Sequence, residues 1–328
     1  MKNKKLFALL LTPLMVMTGC GKKAIEVVVD ASKESYTIGI CQLVQHEALD
    51  AATNAFKKAV KEGVEALGKT VSFLEQNASG DAATCVTIAN TFVSKGVDII
   101  MANATPALQA CYNSTDRIPI LATSITEYGV ALNRKVKKDG SLGTNVSGTS
   151  DLAPLTTQAQ MMVDLFPKTD KVGLLYCSSE PNSKYQIDVV EKELKGLGKQ
   201  TKRLSFTDSN DLSSVLNGAK GSIDALYIPT DNTCATNGEL IDSICRPSKL
   251  PVFAGEEGIC RTCGAITLSI SYDNIGKKTG EMAVELIKNT KNIKTLPIAY
   301  DENPVKKFNK AICDELGIEV PAEFVEVL

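Results

Sequence analysis

The feature that most constrains this chain is an alternation of apolar β-rich runs with helical periods that stops once and then restarts. Strands are predicted over 36–43, 71–75, 97–101 and 118–122, with helices over 48–61 and 82–93 and another opening at Thr105-Pro106. Leu49, Ala52, Phe56 and Val60 recur at the spacing of one helix face. A proline behind a hydroxyl residue is a helix-start signal. Residues 140–151, rich in Gly, Ser, Thr and Asn, break the rhythm. It resumes with helices predicted over 155–165, 184–197, 211–219, 234–245 and 275–288 and strands over 172–176, 201–206, 225–228, 252–254 and 265–270. Strand–helix alternation builds parallel sheets covered on both faces. Two such units in series predict an α/β chain of two similar Rossmann-like lobes with a cleft between them. The crossovers fall near 148–151 and Tyr272.

The N-terminus reads as an address rather than as part of either lobe. Lys2, Lys4 and Lys5 precede an apolar run over 6–17. That run is about a dozen residues, too short for a hydrocarbon core that needs roughly twenty, and it fits a signal-peptide core. Met17-Thr18-Gly19-Cys20 then resembles a bacterial lipobox, in which the cysteine is acylated and becomes the first mature residue. Residues 1–19 are thus expected to be a signal peptide, Cys20 the lipidation site and 20–35 a tether. Two acyl chains hold a protein to a membrane where one binds only marginally.

Composition excludes several functions. Net charge is −2, with no basic block beyond the signal, so nucleic acid is not an expected partner. His46 is the only histidine, which leaves a Ser/His or Cys/His catalytic pair, or a multi-histidine metal site, almost nothing to draw on. No enzyme activity, metal or cofactor is expected, and His46 reads as a structural helix-start residue. Gly63, Gly68, Lys69 and Thr70 match the P-loop pattern, but they end a helix and lead into a strand. A true P-loop runs the other way, from strand to helix N-terminus. Both glycines therefore read as helix-end residues. Nine cysteines follow Cys20, several inside apolar strands where a thiol acts as a small hydrophobe. Cys260 and Cys263 have metal or redox spacing without a second pair, and a local disulfide is the expectation there.

In open α/β sheets, ligands bind beyond the carboxyl ends of the strands. Those ends supply Gln45, Asn77, Asn103, Thr105 and Ser124 from the first unit and Asn182, Ser183, Asp231, Asn232, Glu256 and Glu257 from the second. A ligand carboxylate would meet Thr105-Pro106 and Ser124, and an ammonium would pair with Asp231 or Glu257. Each of these residues also suits turn or capping chemistry.

Six segments in order carry a family resemblance: 42–50 (QLVQHEALD), 98–107 (DIIMANATPA), 145–151 (NVSGTSD), 172–177 (VGLLYC) with Glu180-Pro-Asn182-Ser183, 228–232 (IPTDN) and 251–258 (PVFAGEEG). They resemble the ABC-transporter substrate-binding lipoproteins that include tryptophan- and tyrosine-binding members. Glu47 departs from the pattern, since proline is usual after the histidine. The resemblance implies a type I periplasmic-binding fold, with a three-strand hinge joining a lobe of 36–148 plus 273–299 to one of 149–272 plus 300–328. It also implies an extracytoplasmic, lipid-anchored monomer that binds a small-molecule solute, an aromatic amino acid, for an ABC permease. The alternatives are a surface adhesin on the same fold, or a binder of a sugar or nucleoside. Sugar stacking is disfavoured by the lack of Trp and by an aromatic content of only 5%.

Overall fold

A computed structural model describes residues 27–327. The signal segment, Cys20 and the start of the expected tether lie outside the described residues. From Val27 on, the chain is already docked: Val27 and Val29 are buried in the same apolar cluster as Ile38 and Phe56. Residues 27–35 therefore belong to the folded body and not to the tether. Lys69 holds this strap in place, its Nζ donating to the carbonyls of Ala31 and Lys33.

The first sheet is built from β1 (Ser35–Gln42), β2 (Thr70–Asn77), β3 (Ile99–Asn103), β4 (Ile120–Ile125) and β5 (Val146–Ser150). The second contains β6 (Lys171–Cys177), β7 (Gln200–Phe206), β8 (Ala225–Ile228), β9 (Val252–Ala254) and β10 (Ile266–Ser269). Three short strands complete them: β11 (Ala299–Tyr300) on the first, β12 (Val305–Phe308) and β13 (Val325–Glu326) on the second. The orders are β11-β5-β4-β3-β1-β2 and β13-β12-β10-β9-β8-β6-β7. All pairings are parallel except β10 with β12. Each sheet reverses its winding once, between β1 and β3 and between β6 and β8, and such switch points open crevices at the strand ends.

Helices α1 (Glu47–Glu65), α2 (Ala82–Lys95), α3 (Thr105–Ser114) and α4 (Tyr128–Leu132) connect the first five strands. In the second half α5 (Leu155–Leu165), α6 (Pro181–Gly196), α7 (Ser209–Ala219), α8 (Asn232–Thr236), α9 (Gly238–Cys245) and α10 (Glu257–Thr262) do the same. The helix predicted over 234–245 is thus two, interrupted at Asn237, and the predicted crossover over 140–151 contains β5. Helix α11 (Tyr272–Ile287) returns to the first sheet, and α12 (Lys310–Leu316) packs on the second. Strand β5 runs to Ser150 and β11 includes Tyr300, so the chain leaves the first sheet slightly beyond 148 and 299.

Close approach of α11 to α1 depends on glycine. A Cβ on Gly276 would lie 2.2 Å from the Ala52 carbonyl oxygen, and one on Gly63 would lie 2.5 Å from Val284. Gly63 is therefore a crossing residue inside α1, not a helix end, whereas Gly68 follows α1 with φ +72°. Lys69-Thr70 leads into β2 and faces no helix N-terminus, so the P-loop topology is absent here. Every cysteine among the described residues is a free, buried thiol, which overturns the disulfide expectation. Cys260 and Cys263 direct their Sγ atoms to the carbonyls of Gly264 and Ile259 instead. Among the described residues no helix is long and apolar enough to cross a membrane.

Candidate functional site

The two crevices face each other and enclose one narrow cavity. His46, Leu49 and Ser124 line it from the first sheet's side. Asn182, Thr230, Asp231, Asn232, Ala235 and Glu256 line it from the second, and Asp151 and Tyr272 from the crossings between them.

Ser124 arrives there through an irregularity in β4. The β4–β5 register shifts between Ala122 and Ile125, and Ser124 takes φ +57°. Positive φ is uncommon outside glycine and concentrates at functional positions. The buried Tyr128 hydroxyl spans the opened ladder, lying 2.9 Å from the Ala122 carbonyl and 3.1 Å from that of Thr149. Deeper in, Asn103 Nδ2 donates to the Leu49 carbonyl and to Thr53 Oγ1. Thr53 in turn donates to Gln42, and Gln42 to Asp50. This buried chain fixes the start of α1, and with it the position of His46.

The opposite wall is organised by Glu180, which is only 5% exposed. Its Oε2 accepts from Asn182 Nδ2, from the Asn232 backbone N–H and from Asn232 Nδ2. Its Oε1 accepts from the Thr233 N–H and hydroxyl. Asn182 Nδ2 also reaches the Thr230 carbonyl. Asp231 caps α8, with Oδ1 accepting from Cys234 N–H and Oδ2 from Cys177 N–H. Glu256 caps α10, accepting from Gly258 and Ile259 N–H at 2.6 Å each. Asp151 differs: Oδ2 accepts from the Tyr272 hydroxyl at 3.0 Å, while Oδ1 has no partner.

Contacts across the cleft hold the halves together. His46 Nε2 is 3.2 Å from Asn232 Oδ1, and the Thr126 and Thr230 hydroxyls are 3.3 Å apart. Glu47, at the position where proline is usual, pairs with Arg261 of the other lobe.

The cavity is acidic. Burial pushes Asp151 up to about 6 and Glu256 up to about 7. Burial and the neighbouring Glu180 charge raise Asp231 as well. Burial lowers His46, and no Lys or Arg lines the cavity. Tyr272 and Tyr128, the other titratable groups near Asp151, are pushed above their usual value by burial and stay neutral. A carboxyl whose folded pKa exceeds its unfolded one binds protons more tightly when folded, so its ionisation opposes folding. The ligand-free protein should therefore gain stability as pH falls through about 7 and 6. The depressed His46 works in the opposite sense, one group against three. Melting temperature followed against pH should rise by roughly a few degrees over that window, about what 1 kcal/mol gives in a chain of this size. A flat or falling curve would contradict the buried acidic cluster.

The residues expected at the strand ends divide into three groups. Ser124, Asn182, Asp231, Asn232 and Glu256 line the cavity together. Ser183 is buried beside Asn182, Asn103 lies under α1, Thr105 is buried at the start of α3, and Gln45 lines an outer chamber beside His46 and Glu47. Asn77 and Glu257 turn elsewhere. Asn77 Oδ1 accepts from Ser79 N–H in an exposed turn. Glu257, the first residue of α10 after its cap, pairs outward with Arg261 and Lys307. The expectation that Glu257 serves a cleft ammonium is therefore corrected. Sequence reasoning passed over Glu180 and Asp151 as site residues, read His46 as structural and placed Tyr272 only at a crossing, whereas all but Glu180 line the cavity. Among the described residues no group of His, Cys, Asp or Glu is arranged to hold a metal ion.

Two parallel sheets of matching order, closing on a cavity at their switch points, define a type I periplasmic binding protein. The chain belongs to the ABC transporter substrate binding protein family, whose model matches residues 37–327. It is 32% identical over 314 residues to a tyrosine-binding protein of Clostridioides difficile, spanning 93% of this chain and 90% of that one. A Streptococcus pneumoniae domain solved in complex with L-Trp superposes with a TM-score of 0.82 at 28% identity, over 89% of this chain and 100% of that one. The ligand-free, open structure of a Clostridium difficile substrate-binding protein with adhesive properties gives 0.68 at 35% identity, over 89% of this chain and 100% of that one. By TM-score the structure as a whole is thus nearer to the ligand-bound relative than to the ligand-free, open one. Proteins of this family bind small solutes and work with a permease.

Proposed function

We propose that this chain is the extracytoplasmic, lipid-anchored receptor of an ABC importer and that its solute is an amino acid with an aromatic side chain. One observation carries the reading. Asp151 Oδ1, Asn182 Oδ1 and Ser124 Oγ are buried without partners around one cavity, from the hinge, the second lobe and the first lobe. Buried polar atoms are nearly always satisfied, so orphans gathered from both halves call for a ligand that joins them. Two acceptors and a hydroxyl suit a zwitterion better than an anion or a sugar. Leu49, Ala235 and the Tyr272 ring offer apolar surface beside them. One relative above is named for tyrosine and another was solved in complex with L-Trp. The lobes are taken close to 36–148 with 273–299 and 149–272 with 300–328, the first extended to Ser150 and Tyr300 as its strands run, hinged at the crossings, and anchoring rests on Cys20.

A thermal-shift screen of the twenty amino acids, nucleosides and simple sugars tests the ligand class. Stabilisation by tyrosine, tryptophan or phenylalanine is expected, and a response to a sugar or nucleoside alone would end the reading. Cys20→Ala should abolish incorporation of a fatty-acid analogue, and unchanged labelling would remove the anchor. An adhesive role is the second reading, favoured by the relative with adhesive properties. It predicts cell attachment that survives substitutions in the cavity.

A further inference from the structure

The ammonium site follows from asking which carboxylate has an oxygen to spare. Three acidic side chains line the cavity, Asp151, Asp231 and Glu256, and Glu180 stands behind its second-lobe wall. Both oxygens of Glu180 accept from the Asn232–Thr233 segment, and both oxygens of Asp231 and of Glu256 accept backbone N–H groups. These three carboxylates are committed to holding loops and helix starts. Asp151 alone is half-used. It sits on the first crossing, and Tyr272 on a later one orients it by donating to Oδ2. Asp151 is 4% exposed and its Oδ1 is unpartnered, as is Oδ1 of the equally buried Asn182 across the cavity.

We propose that Asp151 is the receptor for the ligand's ammonium group, with Asn182 as second acceptor and Tyr272 as the residue that positions Asp151. This rests on the amino-acid reading above and narrows it to ligands with a free amine. An ammonium carries three N–H donors, and it would neutralise the one carboxylate whose charge has no hydrogen-bonded partner on the cavity side. The site also explains how closure senses the ligand. Asp151 belongs to the hinge and Asn182 to the second lobe, so the amine links the crossing to the wall that must move. Ser124, from the first lobe, is left to donate to the carboxylate.

The test compares L-tryptophan, tryptamine and indole-3-propionate, which carry both charges, the amine alone and the carboxylate alone. The chain has no Trp, so indole fluorescence reports the ligand directly. Wild type should prefer tryptamine to indole-3-propionate. Asp151→Asn keeps the shape and an acceptor for Tyr272, and should weaken L-tryptophan by about tenfold or more, as expected when a buried ion pair loses one member. Its affinity for indole-3-propionate should not fall, since the substitution only removes a like charge from the cavity. Tyr272→Phe should produce a smaller loss with the same dependence on the amine. Unchanged L-tryptophan affinity in Asp151→Asn, or a wild-type preference for indole-3-propionate, overturns the assignment while leaving an amino-acid receptor in place. If no amine-bearing compound binds the wild type, the amino-acid reading fails and this site with it. A wild-type preference for indole-3-propionate overturns the assignment even if a variant does not fold.

Discussion

Replacing Glu180 by alanine should destabilise the protein by about 3 kcal/mol and remove ligand binding, because several buried donors lose their acceptor together. The Asn232 and Thr233 backbone N–H groups would be left unpaired under the cavity wall. Asn182 would lose one of the contacts that aim its Oδ1, and Asn232 would lose the contact that presents its own Oδ1 to His46. One substitution therefore loosens the second-lobe wall and a cross-cleft contact at once. Glu180→Gln keeps acceptor capacity at one oxygen and should fall between. Urea unfolding and calorimetry on the same samples would measure both effects. Wild-type stability in Glu180→Ala would mean that water satisfies these donors and that the carboxylate is dispensable.

Gly148→Ala should have a comparable or larger effect, above about 3 kcal/mol, since overpacking and backbone strain act together. Gly148 has φ +145°, and its Cβ would stand 1.9 Å from the Ala122 carbonyl oxygen and 2.6 Å from the Tyr128 hydroxyl. Those atoms maintain the β4 irregularity that turns Ser124 inward. Relief of the clash requires β4 and β5 to separate, which moves Ser124 away from the ligand. Molecules that still fold should bind weakly. Gly198→Ala is the control, with φ +81° and nothing within 4 Å of the added carbon. It should cost only the backbone term of roughly 1 kcal/mol and leave binding alone. Equal losses from the two variants would show that sterics at Gly148 are not the cause.

The alternation of strands and helices made both lobes readable, because parallel sheets covered on both faces need continuous apolar strands such as Ile99–Asn103. Strand ends were equally readable, and they located the cavity region. Which way a side chain turns was not. Asp231, Glu256 and Glu257 look alike in sequence, yet two cap helices and the third points outward to Arg261 and Lys307. That outcome depends on where α8 and α10 start, by one residue. Ser124 was legible as a strand-end hydroxyl but not as a residue of positive φ, since nothing local announces the register shift. The pairing of Asp151 with Tyr272 stayed hidden for a different reason. Each lies in a segment that reads as a connection, and they meet only when two crossings distant in sequence run side by side. Glu180 had a local signal in hindsight, an acid immediately before the proline that opens α6.

The packing of α11 across α1 also governs the order in which the molecule can be made. Gly276 lies against Ala52, and Met282 and Leu286 complete a cluster begun by Ile38 and Phe56. The first lobe cannot close its core until nearly the whole polypeptide is available, whereas most of the second is contiguous. Contacts so far apart in sequence carry a large loop-closure cost and form late. A chain emerging N-terminus first therefore presents an unfinished lobe, with the apolar face of α1 uncovered, until its last segment has appeared. The same delay makes truncated products sticky, so a chain that stops short of α11 should be found in aggregates and not in a half-folded soluble form.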